Sequence, residues 1–139
     1  MKDFAMRKLT IAIVATFSAM SALAADSALE RLPSGVTVQK IRIAEGAQPK
    51  ASDTVKVHYR GTLQDGTEFD SSYSRNAPAT FPLNRVIPCW TQGVQKMKVG
   101  EKAKLVCPPD TAYGARGVPG KIAPNSTLNF EVELLAIEK

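Results

Sequence analysis

Apolar and polar residues alternate along most of the chain from Val36 onward. Residues 36–43 (VTVQKIRI) alternate as a half-buried strand does. Residues 54–63 repeat the pattern, with Val55, Val57, Tyr59 and Leu63 on one face and Lys56, His58, Arg60 and Thr62 on the other. Gln64-Asp65-Gly66 follows as a hairpin turn, because Asp-Gly tolerates the positive φ such turns need. Glu68 to Ser72 is the expected return strand, and residues 73–80, broken by Pro78, the expected loop. Phe81-Pro82-Leu83 is a short apolar piece suited to a sheet edge, since Pro82 cannot donate to a ladder.

The period then changes. Val86, Cys89, Trp90, Gly93, Val94 and Met97 recur at spacings of three and four, which predicts a helix over 86–97. Pro88 suits its first turn, and Gly100 stops it soon after the basic end at Lys96 and Lys98. Alternation returns at Ala103, Leu105 and Cys107 and again at Leu128, Phe130, Val132 and Leu134. A Gly- and Pro-rich loop separates these two strands over 110–125. About five strands and one helix with a single apolar face predict an α+β domain, a mainly antiparallel sheet wrapped around a short helix.

The N-terminus follows another pattern. Lys2, Arg7 and Lys8 precede an uncharged, mostly apolar run from Leu9 to Leu23, and Ala22-Leu23-Ala24 has the small-x-small form of a cleavage site. Residues 1–24 therefore read as a secretory signal peptide, the run being short for a membrane span. Met6 is an alternative start, because the signal pattern is complete from there. Residues 25–35 form a short polar arm and residues 36–139 the domain. Export places the chain in the bacterial periplasm or outside the cell, with no stable membrane anchor after cleavage.

Removing residues 1–24 lowers the net charge from +5 to +3 and leaves 115 residues, enough for one core. Basic and acidic residues are interleaved without a basic stripe, which argues against nucleic acid binding. Cys89 and Cys107 both fall on core-facing positions. In an exported chain they are either a disulfide or two buried thiols. A lone His58 on a polar strand face lacks the partners that a metal site or a catalytic triad needs. The glycines of GARGVPG precede no Lys-Ser or Lys-Thr, so that loop is no phosphate cradle. No cofactor and no metal are expected. What remains is aromatic and apolar side chains with a few polar groups, a set suited to a pocket that strips water from a polar bond.

Three stretches, VHYRGTLQDGTEFDSS, VIPCWTQGVQKMKVGEKAKL and AYGARGVPGKIAPNSTLNFEVELL, carry a resemblance. In order and spacing they resemble the FK506-binding-protein family of peptidyl-prolyl cis-trans isomerases, over residues 53–138. The likeness is greatest to isomerase domains of exported bacterial proteins of the macrophage-infectivity-potentiator and FkpA types. It implies the sheet-around-helix fold and assigns residues one by one. Tyr59, Phe69, Trp90 and Phe130 match the aromatic walls, with Trp90 as the floor. Asp70 matches the rim carboxylate, and Tyr113 the hydroxyl that donates to the carbonyl before the proline-like ring. Val86 and Ile87 match an apolar pair whose second backbone N–H is a ligand donor; Ile122 matches a wall residue and Phe81 a supporting aromatic. Departures fall at Ala79, Val118 and Lys121, where well-studied members carry an aromatic, a frequent histidine and an apolar residue.

The resemblance implies an isomerase that assists folding of exported, proline-containing polypeptides and is inhibited by the macrolides FK506 and rapamycin. Two alternatives use the same pocket: a non-catalytic or weakly catalytic chaperone that holds unfolded chains, and an inactive pocket that recruits one proline-containing partner. No long insert interrupts residues 53–138, and residues 25–35 are too short for a dimerisation arm, so a monomer is expected.

Overall fold

A computed structural model describes residues 29–138; the signal-like segment 1–24 lies outside them. The longest strand pair organises the domain. Strand β3 (Thr54–Thr62) runs antiparallel to β7 (Leu128–Glu138), with Tyr59 opposite Val132 and Gly61 opposite Phe130. On the other side of β7 lies β6 (Lys102–Cys107), then β2 (Thr37–Arg42), then the short edge strand β1 (Leu29–Arg31). The free flank of β3 is shared by two strands: β4 (Glu68–Ser71) pairs with its C-terminal end and β5 (Ala79–Pro82) with its N-terminal end. The gap between them is closed by Ser72, whose N–H donates to the Tyr59 carbonyl at 2.9 Å and whose Oγ accepts the Tyr59 N–H at 2.7 Å.

Seven strands form among the described residues where about five were expected, and each difference has a local cause. Ala79-Thr80, read as loop, join β5 because they complete the ladder opposite Val57 and Lys56. Leu29–Arg31, read as part of an arm, pair with Thr37–Gln39. The last strand continues past Leu134 to Glu138, because a bulge between Lys56 and Val57 leaves Leu135 unpaired and breaks the alternation. The Asp-Gly turn forms as expected: Gly66 has φ +91°, and Asp65 Oδ1 accepts the Thr67 N–H at 2.9 Å.

The helix is shorter than its apolar repeat. Helix α1 spans Pro88–Val94, not 86–97. Proline pushes the residue before it out of the helical region, and Ile87 is extended at φ −59°, ψ 146°. At the other end Lys96 and Met97 bond three residues back, to Gly93 and Val94, so the chain tightens into turns while Met97 stays buried. The buried face of α1 lies on β6. Gly93 allows this closeness, since a Cβ there would sit 3.0 Å from Leu105. Cys89 and Cys107 are joined by a disulfide that ties α1 to the end of β6. In the chain-entropy picture, a loop of this length contributes about 3 kcal/mol.

One charged side chain is sealed in. Glu101 is 2% exposed. Its carboxylate accepts the Lys98 N–H at 3.0 Å and the Ala44 N–H at 3.3 Å, and pairs with Lys40 Nζ at 2.8 Å. Burial pushes the Glu101 carboxyl up, but Lys40 and the two amides outweigh it and hold the group below its ordinary range.

Candidate functional site

A cleft of about 480 Å³ opens between α1 and the inner face of the sheet. Six structural pieces converge on it. Strand β3 supplies Tyr59, β4 supplies Phe69 and Asp70, β5 supplies Phe81, and β7 supplies Phe130. The segment from a 3-10 turn (Leu83–Arg85) into α1 supplies Arg85, Val86, Ile87 and Trp90, and the loop after a second 3-10 turn (Pro109–Thr111) supplies Tyr113.

Trp90 is the centre of the floor. It is 4% exposed and meets Tyr59, Phe81 and Phe130 edge to face, with ring centroids 5.2–5.4 Å apart and planes near 85°. Phe69 meets Phe130 in the same way at 5.6 Å. Such ring pairs contribute about 0.5–1.5 kcal/mol each beyond their burial. The indole N–H is buried with no acceptor among the described residues. The floor is thus shaped by ring faces and edges and not by hydrogen bonds.

The rim is polar. Asp70 accepts hydrogen bonds from the Tyr59 hydroxyl, from Arg75 Nη1 at 2.6 Å and from the Ser71 N–H at 2.9 Å. Arg75 also donates to the Tyr59 oxygen at 3.0 Å and lies 5.7 Å above the Tyr59 ring. Burial pushes the Asp70 carboxyl up, but Tyr59 and Arg75 prevail and hold it below its ordinary range. Burial, with the Asp70 hydrogen bond, raises the Tyr59 hydroxyl. Asp70 is therefore an engaged carboxylate whose oxygens orient Tyr59, and not a base waiting for a proton. Tyr113 stands opposite in character: it is 40% exposed, and its hydroxyl has no hydrogen-bond partner among the described residues.

Of the ten residues the resemblance assigned, nine line this cleft: Tyr59, Phe69, Asp70, Phe81, Val86, Ile87, Trp90, Tyr113 and Phe130. Ile122 does not line it. A tight bridge to Val118, with N–H···O distances of 2.8 Å in both directions, holds it, and its side chain is buried in the core cluster. Three contributors were not foreseen. Arg75 and Arg85 lie in stretches where an isolated cation carries no pattern. Gly61 did carry a signal, since a lone glycine inside a strand marks close approach. A Cβ at Gly61 would fall 2.6 Å from Phe69 and 2.9 Å from Phe130, so its hydrogen gives those rings their room.

Known proteins are similar to this chain in sequence and fold. The pattern of the family described as FKBP-type peptidyl-prolyl cis-trans isomerase matches residues 45–135. The chain is 54% identical over 120 residues to the FKBP-type peptidyl-prolyl cis-trans isomerase FkpA of Aeromonas hydrophila, covering 86% of this chain and 44% of that protein. It thus spans less than half the length of that relative. It is 56% identical over 108 residues to FK506-binding protein 1A of Emericella nidulans, covering 74% of this chain and 98% of that protein. The crystal structure of FkpA from Escherichia coli superimposes with a TM-score of 0.76 at 39% identity, covering 96% of this chain and 70% of that one. The chain belongs to the FKBP-type peptidyl-prolyl cis-trans isomerase family.

Proposed function

We propose that the protein catalyses cis-trans isomerisation of X–Pro bonds in exported polypeptides, using the cleft above Trp90. The observation that carries this reading is the convergence of nine assigned residues on one apolar cleft whose single carboxylate is already engaged. Resonance holds the amide planar with a barrier of about 18–20 kcal/mol. At X–Pro the two isomers are close in energy, so lowering the barrier suffices. An acceleration of about 10⁴ to 10⁵ needs roughly 5.5–7 kcal/mol.

Twisting the bond removes the charge separation of the planar amide. Water stabilises the planar form more than the twisted one. Transfer of the bond into a cleft walled by Tyr59, Phe69, Trp90 and Phe130 therefore favours the twisted form. The Tyr113 hydroxyl and the Ile87 N–H hold the substrate backbone on the two sides of the proline. Complementarity to the twisted bond is what accelerates the reaction. No proton transfer is required. Export rests on the signal pattern of residues 1–24, and the Cys89–Cys107 bond suits an oxidising compartment. A monomer whose isomerase domain includes the edge strand Leu29–Arg31 completes the reading.

A protease-coupled assay on a proline tetrapeptide tests it. Turnover is expected and should be blocked by FK506 or rapamycin. It should fall steeply in the Trp90→Leu, Tyr113→Phe double variant. Full turnover in that folded variant would remove the site assignment.

A further inference from the structure

We infer that Arg85 selects substrates, favouring prolyl peptides that carry a carboxylate on the C-terminal side of the proline. The inference rests on the isomerase reading above and adds a substrate preference to it.

The cleft has two charged residues in its lining, Asp70 and Arg85. Their situations differ. Asp70 is neutralised in place by Arg75 Nη1 at 2.6 Å and by the Tyr59 hydroxyl. Arg85 is exposed and has no carboxylate within 4 Å among the described residues. The free charge of the cleft is therefore positive. Neither neighbouring segment compensates it. Residues 83–97 contain no Asp or Glu, and the loop that brings in Tyr113 carries Arg116 and Lys121 with no carboxylate from Ala112 to Thr127.

Position fixes which side of the substrate Arg85 meets. It ends the 3-10 turn and is followed directly by Val86 and Ile87, both on the cleft wall. With Tyr113 holding the carbonyl before the proline, the Ile87 N–H holds the carbonyl after it. Arg85, two residues upstream of Ile87, then lies beside the residues that follow the proline. A guanidinium with a free fork suits a carboxylate, which it binds through two parallel hydrogen bonds. Arg75 cannot serve in its place, because its fork is spent on Asp70 and Tyr59.

The test compares peptide pairs that differ only in charge: Ala-Pro-Glu against Ala-Pro-Gln, and Glu-Pro-Ala against Gln-Pro-Ala. Each is assayed with the full chain as wild type, Arg85→Gln, Arg85→Lys and Arg85→Glu. In wild type the ratio of kcat/KM for Pro-Glu over Pro-Gln should be about two- to fivefold at low salt, the size of a partly exposed ion pair. It should shrink toward unity in high salt. Arg85→Gln should abolish the preference, Arg85→Lys should keep part of it, and Arg85→Glu should invert it. A ratio of unity in an active wild type, a ratio unmoved by Arg85→Gln, or a preference confined to Glu before the proline would overturn the inference. Failure of the wild type to turn over any of the four peptides would instead remove the isomerase reading, and this inference with it.

Discussion

Trp90, at the floor of the cleft, is buried and touches rings; Asp70, at its rim, is 39% exposed and touches a phenol, a guanidinium and a backbone amide. The two regions share Tyr59, whose ring packs on Trp90 and whose hydroxyl serves Asp70. The floor is fixed by shape. It stands on α1, held to β6 by the Cys89–Cys107 bond and by the close approach at Gly93. The rim is fixed by charge, through long side chains that water reaches. In the proposed mechanism the floor acts on the planar bond, and the rim orients and selects the substrate. Changes in the floor should therefore cost turnover and stability together. Changes in the rim should cost selectivity and binding, with little loss of kcat or stability.

The largest effect is expected from Trp90→Leu. Losing the indole removes three edge-to-face contacts and opens a void, costing about 2–4 kcal/mol of stability. Turnover should fall at least about tenfold, 1.4 kcal/mol in the barrier. Denaturant melts read beside kcat/KM check both; an unchanged kcat/KM in the folded variant would break the contrast between floor and rim. Next is loss of the disulfide. Cys89→Ser with Cys107→Ser should lower stability by about 3 kcal/mol and leave the ratio of rates on charged and neutral peptides unmoved.

Glu101→Gln should cost about 2 kcal/mol, because it weakens the anchor that joins Lys40, Ala44 and Lys98, none of which lines the cleft. Its pH dependence has a definite sign. A carboxyl held below its ordinary value of 4.5 adds stability that is complete above that pH and fades as pH falls through the folded value. The gap between wild type and Glu101→Gln should narrow as urea melts are taken below about pH 4.5; a gap that widened would contradict the assignment. Smallest is Arg75→Gln. Both partners of its ion pair are substantially exposed, so stability should change by about 1 kcal/mol or less. KM should rise a few fold as Asp70 and Tyr59 lose their common partner. A collapse of kcat instead would move the rim into the catalytic machinery.

The floor was legible in the sequence because its residues repeat. Tyr59 and Phe130 fall on the inward parity of alternating strands, and Trp90 falls on the apolar face of a 3–4 repeat. The helix ends were not legible from that repeat. Apolar spacing reports burial, and Met97 is buried in a turn as it would have been in a helix. Only the restriction before Pro88 shows where α1 begins. The tail of β7 was hidden by a bulge that shifts parity by one residue at Leu135. The rim was legible in part. Asp70 sits within a long motif, but Arg75 belongs to a turn with no period and meets Asp70 and Tyr59 only through folding. Glu101 resembles any surface acid in VGEKAKL; its burial follows from the loop at Ala44 closing over it.

Protease-free exchange NMR on a proline tetrapeptide, with catalytic amounts of the full chain, asks directly whether the cleft above Trp90 speeds prolyl isomerisation. The cis and trans signals should exchange far faster than the spontaneous tens of seconds. The acceleration should be lost on adding FK506 and strongly reduced in folded Trp90→Leu. Exchange that stays at the spontaneous rate with the folded wild type, or that is untouched by Trp90→Leu, would contradict the isomerase reading.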